Sequence, residues 1–322
     1  MFKDKTILIT GGSGSLGQEL TKQLLEFNPF KIIVYSRRDH DHAEMERKFN
    51  YNPKLRFFIG DVRDYERLNL ALHDVDYVIH TASLKHIDRA EYNPIEYKKT
   101  IVDGAENVIR ACLEQNVKKC VALSTDKASN PSGVYGSAKL ISDKLFMASN
   151  LYSRTKFSVI RYGNVIDSNG SMTQKISNSA DDIINITDRR MTRFWITKKY
   201  AAELVLHLLD NMSGNEMLIP KLPTCNVLDF LKAMKPKAKI VDIPIRPSEK
   251  IHESMLLSED SRNTLDFDSY YISYPKLPEN KTFAGKVGTE LKDGFEYKSS
   301  NKNWVLTNTD VYDILNGRFK FD

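Results

Sequence analysis

Tyr135 and Lys139 have the types and the spacing for acid–base chemistry on a hydroxyl group. Four residues apart on a helix, the two side chains lie on one face. A neighbouring ammonium favours the phenolate form and lowers a pKa that is ordinarily near 10. Tyr135 is therefore a candidate base toward a hydroxyl whose carbon gives up hydride. Because Tyr-x-x-x-Lys is common by chance, its meaning depends on the motifs that accompany it.

A glycine-rich turn follows the first apolar run of the chain, Thr6–Thr10. Glycines at positions 11, 14 and 17 let the backbone approach a pyrophosphate, and a following helix offers N–H groups and the positive end of its dipole. A strand pattern precedes the turn and an amphipathic helix pattern follows it, so the turn predicts dinucleotide binding. The predicted contacts are Gly11, Ser13, Gly14, Ser15, Leu16 and Gly17.

The residues after the second apolar run favour NADP over NAD. Where NAD-binding proteins carry an acidic residue for the ribose 2′-hydroxyl, this chain has Ser36, Arg37 and Arg38. A hydroxyl and two guanidiniums suit a 2′-phosphate, although one or both arginines can also be read as ordinary surface charges. Further contacts are expected from residues that follow later strands, near the adenine and along the middle of the cofactor. They are Asp61, Val62, Thr81, Ala82 and Ser83.

Near-continuous apolar runs alternate with helical patterns through the first half of the chain, which predicts βαβ units and a parallel sheet covered on both faces. The fold expected is α/β, a doubly wound Rossmann-type sheet with a smaller C-terminal substrate-binding lobe. We assign residues 1–165 to the cofactor domain and 166–322 mainly to the second lobe, interleaved with the first. The predicted strands are Thr6–Thr10, Lys31–Tyr35, Leu55–Ile59, Asp76–His80, Lys119–Ser124 and Phe157–Arg161, and the main helices Gly14–Phe27, Pro94–Asn116, Gly136–Leu151, Lys198–Asn211 and Asn226–Met234.

Composition excludes several classes of protein. The 322 residues are 41% hydrophobic and 28% charged, which is ordinary for a globular chain, and the net charge of +5 is too small to indicate nucleic-acid binding. Three cysteines without a CxxC pattern argue against a disulfide framework and a metal site, so reducing cytoplasm is expected. The sequence shows neither a signal peptide nor an apolar run long enough to enter a membrane.

The triplet Thr125-Asp126-Lys127 extends the chemistry beyond hydride transfer. A reductase or epimerase needs only the threonine hydroxyl, Tyr135 and Lys139, whereas an added carboxyl and amine supply the acid and the base of an elimination. By themselves Asp126 and Lys127 could equally be a helix cap and a surface lysine. Together with the glycine-rich turn, in this chain order, the set resembles the extended short-chain dehydrogenase/reductase family.

A closer resemblance covers about residues 3–275. The chain is similar to the C5-inverting UDP-N-acetylglucosamine 4,6-dehydratases of pseudaminic acid and capsular amino-sugar pathways. The segments that carry the resemblance are RFFIGDVRD (56–64), KHIDRAEYNP (85–94), ALSTDKASNPSGVYGSAKLISDKLF (122–146), RYGNVI (161–166), ITDRRMTRFWIT (186–197), RPSEKIHE (246–253) and SRNTLDF (261–267).

The resemblance implies a role for each catalytic candidate. Tyr135 would take the C4 hydroxyl proton while NADP⁺ takes the C4 hydride, with Thr125 polarising the C4 oxygen. Lys127, as a neutral amine, would be the base at C5, and Asp126 the acid that protonates the departing C6 hydroxyl. Lys139 would hold the nicotinamide ribose and tune Tyr135. The hydride then returns to C6 and a proton adds to C5 from the opposite face.

The resemblance also implies binding residues. Lys85, Tyr162 and Asn164 are expected beside the cofactor, and a guanidinium suits the substrate's diphosphate because it binds phosphate bidentately. The alternative interpretation of Arg193 is that it is an ordinary surface arginine. For Glu249 and His86 the alternative is a role outside the site. The predicted substrate contacts are Lys85, His86, Asn164, Thr187, Arg193, Arg246 and Glu249.

Three departures from the family pattern leave the outcome of the reaction open. Ile101 stands where the family usually has Asn, Asp167-Ser168 replaces Gly-Ser, and Ser248 replaces a Gly. The alternatives are C5 inversion, C5 retention, release of the 5,6-ene, or 4-epimerisation; a catalytically silent binding protein is disfavoured by the complete catalytic set. A homo-oligomer, dimer or hexamer, is expected by analogy.

Overall fold

The structure is a computed structural model that describes residues 1–178, 183–301 and 303–321. Its strands are β1 (Thr6–Thr10), β2 (Lys31–Ser36), β3 (Leu55–Ile59), β4 (Tyr77–His80), β5 (Lys119–Leu123), β6 (Lys156–Ile160), β7 (Asn164–Val165), β8 (Ile183–Ile186), β9 (Thr192–Ile196), β10 (Met217–Pro220), β11 (Thr224–Asn226), β12 (Lys239–Asp242), β13 (Ser254–Leu256), β14 (Thr264–Phe267), β15 (Tyr270–Ser273), β16 (Thr282–Phe283), β17 (Lys286–Val287), β18 (Thr289–Glu290) and β19 (Tyr297–Lys298).

The α-helices are α1 (Ser15–Glu26), α2 (Asp39–Lys48), α3 (Tyr65–Ala71), α4 (Ile87–Tyr92), α5 (Pro94–Lys98), α6 (Gly104–Glu114), α7 (Val134–Ala148), α8 (Met172–Asn178), α9 (Lys198–Asn211), α10 (Val227–Met234) and α11 (Asn308–Leu315). A π-helix covers Lys99–Asp103, and 3₁₀ turns cover Asp126–Ala128, Ser149–Leu151 and Ser258–Asn263.

A ten-stranded sheet lies at the centre, in the order β18-β14-β15-β10-β6-β5-β4-β1-β2-β3. The seven strands from β10 to β3 run parallel, and β15, β14 and β18 add antiparallel pairs at one edge. All residues of β1 and β4 are buried, as expected of a sheet with helices on both faces. The predicted doubly wound fold is confirmed, and the strand order reverses between β1 and β4, where such sheets bind ligands.

The C-terminal half of the chain contributes residues both to the central sheet and to a separate apolar cluster. Strands β10, β14, β15 and β18 extend the central sheet, and α9 packs against α1. A separate apolar cluster around Trp195 and Phe230, whose rings stack 3.9 Å apart, is formed by residues between Ile166 and Ile314. The division of the chain at residue 165 stays a prediction.

The helix predicted over Pro94–Asn116 is interrupted. The π-helix Lys99–Asp103 separates α5 from α6, and such wide turns often occur at functional sites. The turn places Thr100 on the wall of the main cavity. Ile101 is buried in a small apolar cluster that includes Tyr97 and Tyr135. Apolar periodicity does not distinguish a single wide turn from a continuous α-helix, so the sequence predicted one element.

Among the residues that the structure describes, none of the helices combines the length and the apolar character that crossing a bilayer demands. Cys112, Cys120 and Cys225 are buried free thiols.

Candidate active site

A cavity of about 530 Å³ lies at the carboxyl ends of the parallel strands, beside the point where the strand order reverses. The structure brings together on its wall all the residues that the sequence assigns to the cofactor. These are Gly11, Ser13, Gly14, Ser15, Leu16, Gly17, Ser36, Arg37, Arg38, Asp61, Val62, Thr81, Ala82, Ser83, Lys85, Tyr135, Lys139, Tyr162 and Asn164.

The glycine-rich turn is packed too tightly for side chains. A Cβ on Gly11 would lie 2.8 Å from Thr81 Oγ1 and 2.9 Å from the Ala82 Cα, and its φ of +66° is in the left-handed region. A Cβ on Gly17 would lie 2.4 Å from the Gly12 carbonyl oxygen. The turn and the first residues of α1 therefore form a backbone cradle that fits a dinucleotide pyrophosphate.

At the end of β2, hydroxyl and guanidinium groups gather where a cofactor ribose would bind. Ser36 Oγ donates to Ser13 Oγ at 2.8 Å and lies 2.5 Å from His42 Nε2. Arg38 pairs with Asp41 at 2.7 Å and Arg37 lies 3.8 Å from Asp61, yet both arginines are more than half exposed. Their guanidiniums are therefore accessible to an anion, and the fit to a 2′-phosphate is good.

The catalytic candidates meet where β5 ends. Thr125 caps the 3₁₀ turn Asp126–Ala128 by accepting from the Lys127 N–H at 3.3 Å, and its hydroxyl donates to Asp126 Oδ1 at 2.9 Å. Helix α7 carries Tyr135 and crosses this turn closely, since a Cβ on Gly136 would lie 2.3 Å from the Lys127 carbonyl oxygen. Backbone contact between turn and helix thus brings the triplet to Tyr135.

Tyr135 is buried, and burial raises its pKa to about 12, against the lowering effect of the Lys127 charge and of a hydrogen bond with Thr125. The cation that most favours the Tyr135 phenolate is therefore Lys127, whereas the sequence had pointed to Lys139. Lys139 Nζ donates to the Leu123 carbonyl at 2.7 Å, and burial lowers the pKa of Lys139 to about 8.

Lys127 is held as an ammonium between two carboxylates. Its Nζ lies 2.9 Å from Asp126 Oδ1 and 3.6 Å from Glu253 Oε1, and it also donates to Asn164 Oδ1 at 3.3 Å. Burial favours the neutral amine, but the charges of Asp126 and Glu253 outweigh it and raise the pKa of Lys127. The resting lysine therefore differs from the neutral amine that the base role requires.

Asp126 has no exposed surface and lies behind Thr125 and Lys127, off the cavity wall. Its Oδ1 accepts both hydrogen bonds, and Oδ2 is buried without a hydrogen-bond partner among the described residues. An unpartnered buried carboxylate oxygen is costly, and it is available to hold a proton or to turn toward a bound sugar.

The predicted substrate residues divide into two groups. Lys85, His86 and Asn164 line the cavity. Arg193 does not: it is 6% exposed, and its guanidinium donates to the carbonyls of Thr192, Lys250 and Ile251 at 2.7–2.9 Å. Arg193 therefore links the 246–253 loop to β9 through hydrogen bonds. In this resting position it is neither a surface arginine nor a group on the cavity wall that could bind a phosphate.

The remaining substrate candidates also lie off the described cavity wall. The Thr187 hydroxyl lies 3.4 Å from Met191 Sδ. Arg246 is exposed, and its N–H donates to Glu249 Oε2 at 3.2 Å within one turn of the loop. Their roles toward a substrate stay predictions.

Sequence reasoning missed several residues at the site. Glu253 and its partner Lys250 belong to the quoted segment RPSEKIHE, but no pattern in that segment indicates which side chain turns inward. Asp41 sits in the first turn of α2, where an acidic residue also reads as a helix-dipole partner. The other unassigned wall residues are Tyr35, Gly60, Thr100, Leu123, Ser124, Gly163, Val165, Ser168, Asn169, Gly170, Ser171 and Met172.

Two of the departures from the family pattern have a backbone explanation. Asp167 and Ser248 have φ values of +58° and +61°, in the left-handed region that glycine adopts without strain. Each position therefore explains why glycine is usual there, and each side chain here costs about 1 kcal/mol of conformational strain.

Comparisons with known proteins identify the family of the chain. The model of a family described as polysaccharide biosynthesis protein matches residues 7–275. The inverting UDP-N-acetylglucosamine 4,6-dehydratase of Campylobacter jejuni is 46% identical over 98% of both chains. A UDP-glucose 4-epimerase of Rickettsia canadensis is 38% identical over 84% of this chain and 83% of its own.

Solved structures share the fold. Pen from Bacillus thuringiensis superposes with a TM-score of 0.90 and 29% identity, covering 99% of both chains. DesIV, a dTDP-glucose 4,6-dehydratase from Streptomyces venezuelae, has a TM-score of 0.69 and 18% identity over 76% of this chain and 86% of its own, which shows the fold alone. The chain belongs to the polysaccharide biosynthesis protein family of extended short-chain dehydrogenase/reductase enzymes.

Proposed function

We propose that this enzyme dehydrates UDP-N-acetylglucosamine across C4 and C6 with C5 inversion, using bound NADP, and releases a UDP-4-keto-6-deoxy amino sugar. The observation that carries the proposal is the Asp126–Lys127 pair, 2.9 Å apart, whose lysine lies with Tyr135 on the wall of a cavity that fits a dinucleotide. The similarity to inverting dehydratases over nearly the whole chain supports it.

The first step is oxidation at C4. The glycine-rich turn would hold the dinucleotide, whose nicotinamide would supply the acceptor for the C4 hydride and the source of the hydride for C6. Tyr135, as the phenolate, removes the C4 hydroxyl proton, helped by the positive charge of Lys127 and the hydroxyl of Thr125, and it gives this proton to solvent before the next turnover. The pKa of Tyr135, about 12 in the resting chain, must fall for this step, and added positive charge in the cavity lowers it.

The elimination then needs one base and one acid. The resting pair is an ammonium and a carboxylate, and moving one proton from Lys127 Nζ to Asp126 Oδ1 converts it into a neutral amine and a neutral carboxyl group. The amine removes the C5 proton, which the C4 ketone has acidified, and the carboxyl protonates the leaving C6 hydroxyl. These two transfers restore the ion pair, so the water that leaves carries the proton that Asp126 held.

Reprotonation at C5 distinguishes the stereochemical outcomes. If Lys127 returns its proton, C5 is retained and Asp126 recovers a proton from solvent. If Lys127 passes its proton back to Asp126, C5 must take a solvent proton from the opposite face, which gives inversion.

A 4-epimerase is the second candidate, because UDP-glucose 4-epimerases are also similar over most of the chain. Epimerisation requires Tyr135, Thr125 and Lys139 but leaves no chemical task for Asp126 and Lys127. Their burial around the reacting position therefore favours dehydration.

The deciding experiment incubates the purified enzyme with UDP-N-acetylglucosamine in D₂O without added reductant, followed by NMR and mass spectrometry. We expect loss of water, deuterium at C5, and coupling constants of the inverted sugar. The retained sugar or the free 5,6-ene would correct the outcome but keep the class. An isomer of unchanged mass with inverted C4 would replace dehydration by epimerisation.

Three further assignments accompany the proposal. NADP is preferred over NAD because Arg37 and Arg38 are exposed at the ribose end. We place the enzyme in the cytoplasm as a homo-oligomer, dimer or hexamer, supplying surface glycan or pseudaminic acid synthesis. Cofactor content of the purified enzyme, light scattering and cell fractionation test these assignments.

A further inference from the structure

Glu253 is a buried carboxylate that lies beside Lys127 of the catalytic pair. Its side chain is 3% exposed, with Oε1 3.6 Å from Lys127 Nζ and Oε2 2.8 Å from Lys250 Nζ. Lys250 also donates to the carbonyls of Ser129 and Asn130, which follow the catalytic turn. The 246–253 loop and the catalytic turn are thus joined through the Glu253 carboxylate and the Lys250 ammonium.

The C-terminal segment holds Glu253 in place. The Glu253 N–H donates to Ser299 Oγ at 2.9 Å, and the Ser299 N–H donates to the Glu253 carbonyl at 2.7 Å. The next residues, in β13, pair with β19. Both backbone groups of Glu253 are therefore fixed, and its side chain is aimed at Lys127 by residues more than 100 positions away from the catalytic triplet.

The cluster around Glu253 contains three cations and two carboxylates. Lys127 faces Asp126, Glu253, Arg193 and the phenol of Tyr135, while Glu253 faces Lys127, Lys250 and Arg193. His252 is turned away, with Nδ1 2.9 Å from the Thr192 hydroxyl. Burial would raise the pKa of Glu253, but the three cations outweigh it and lower that pKa, so Glu253 is a carboxylate.

We propose that Glu253 is a positioning residue for the Lys127–Asp126 pair: it holds the Lys127 ammonium in the cavity and stabilises the charge-separated pair against the neutral pair from which elimination starts. This inference rests on the proposed function, in which Lys127 must become a neutral amine. Glu253 touches neither cofactor nor reacting atoms in this role and acts only through Lys127.

The cluster gives two opposite predictions. Removing the Glu253 charge takes away one partner of the ammonium, so Lys127 loses its proton at lower pH. Removing Lys250 takes a cation from the same cluster. The Glu253 carboxylate is then no longer shared between two lysines and attracts the Lys127 ammonium more strongly, so Lys127 keeps its proton to higher pH. An opposite charge within about 4–6 Å moves a pKa by about 1–3 units, which sets the expected size.

The test measures the pH dependence of kcat for UDP-N-acetylglucosamine dehydration in wild type, Glu253→Gln, Glu253→Asp and Lys250→Met. We expect the acidic midpoint to move down by about one unit or more in Glu253→Gln, to return toward wild type in Glu253→Asp, and to move up in Lys250→Met. Glu216→Gln is the matched control. Glu216 is equally buried, but it accepts from Ser213, Gly214 and Ser158 far from the cavity, so its loss lowers stability and leaves the midpoint unchanged.

A second readout does not depend on turnover. The rate at which an amine-acylating reagent modifies Lys127, measured by peptide mass spectrometry relative to Lys139, reports the neutral fraction of Lys127. We expect that ratio to rise in Glu253→Gln and to fall in Lys250→Met. An unchanged midpoint and an unchanged labelling ratio in both variants would overturn the role of Glu253. If the wild-type enzyme fails to dehydrate the substrate but the two variants show the expected labelling changes, only the proposed function is overturned.

Discussion

Two parts of the proposed site, a cofactor side and a substrate side, are held together by different forces. The cofactor side consists of strand ends fixed by backbone hydrogen bonds within the sheet and of glycines whose neighbours leave no room for a side chain. The substrate side consists of loops fixed by ion pairs and by guanidinium contacts, with Asp167 and Ser248 in strained backbone conformations. The conformation of the cofactor side is therefore maintained by backbone packing, and the conformation of the substrate side is maintained by interactions between charged groups.

The difference teaches where each kind of change should act. Changes on the cofactor side should alter dinucleotide affinity with little dependence on pH. Changes on the substrate side should alter turnover, its pH dependence and the stability of the loops. Lys127 lies where the two sides meet.

The largest expected effect comes from Lys127→Ala. We expect kcat to fall about 1000-fold or more, because both the base at C5 and the proton source for Asp126 are lost, while NADP affinity is unchanged. Turnover assays and calorimetric cofactor titration measure the two quantities, and Lys144→Ala, an exposed lysine on α7, is the control. Wild-type turnover in the Lys127 variant would remove this residue from the mechanism.

Arg193→Ala tests whether the substrate side is held as the structure indicates. Three partly buried carbonyls lose a guanidinium donor, although those of Thr192 and Ile251 keep a second donor, so we expect the free energy of unfolding to fall by about 2 kcal/mol. Urea denaturation measures it, with Arg190→Ala as a control that breaks only an exposed pair with Asp188. An unchanged unfolding midpoint with a raised KM would instead identify Arg193 as a phosphate ligand, as the resemblance implied.

On the cofactor side, Arg37→Ala and Arg38→Ala should each weaken NADP binding about tenfold and leave NAD binding unchanged, because only NADP presents the 2′-phosphate. Isothermal titration with both dinucleotides measures the ratio. Arg56→Ala on the exposed surface of β3 is the matched control. Equal losses for NADP and NAD would place the arginines away from the 2′-position.

The smallest effect is expected from Ser248→Gly. Relief of the left-handed backbone should raise the free energy of unfolding by about 1 kcal/mol and the melting temperature by about 2 °C. Ser300→Gly, an exposed serine outside the left-handed region, should not stabilise the protein. If both variants lower the melting temperature, Ser248 contributes contacts that outweigh its strain.

The regular helices and strands could be predicted from the sequence, because their apolar patterns are local. Helix Lys198–Asn211 and strands Thr6–Thr10 and Leu55–Ile59 have the predicted bounds, because a short apolar run marks each strand and a buried face that repeats at the helical period marks the helix. The cavity wall on the cofactor side follows from the same regularity, since parallel strands end at one edge of the sheet.

The residues that sequence reasoning placed differently depend on contacts between distant segments. The inward direction of Glu253 depends on Ser299, and the burial of Arg193 depends on the carbonyls of the 246–253 loop. The charge on Lys127 is the sum of several neighbours that come together only in the folded chain. No local pattern encodes such a sum.

The sheet order has a consequence for how the chain becomes an enzyme during its synthesis. The first six strands of the sheet, with the glycine-rich turn, are complete once Ile160 has left the ribosome, whereas Glu253 and Ser299 emerge roughly 5–30 s later at ordinary elongation rates. We therefore expect the nascent chain to acquire a dinucleotide pocket first and the ion cluster around Lys127 last. The catalytic triplet and Tyr135 would then be present when the nucleotide pocket forms, and the carboxylate that holds the charge on Lys127 would be added only afterwards.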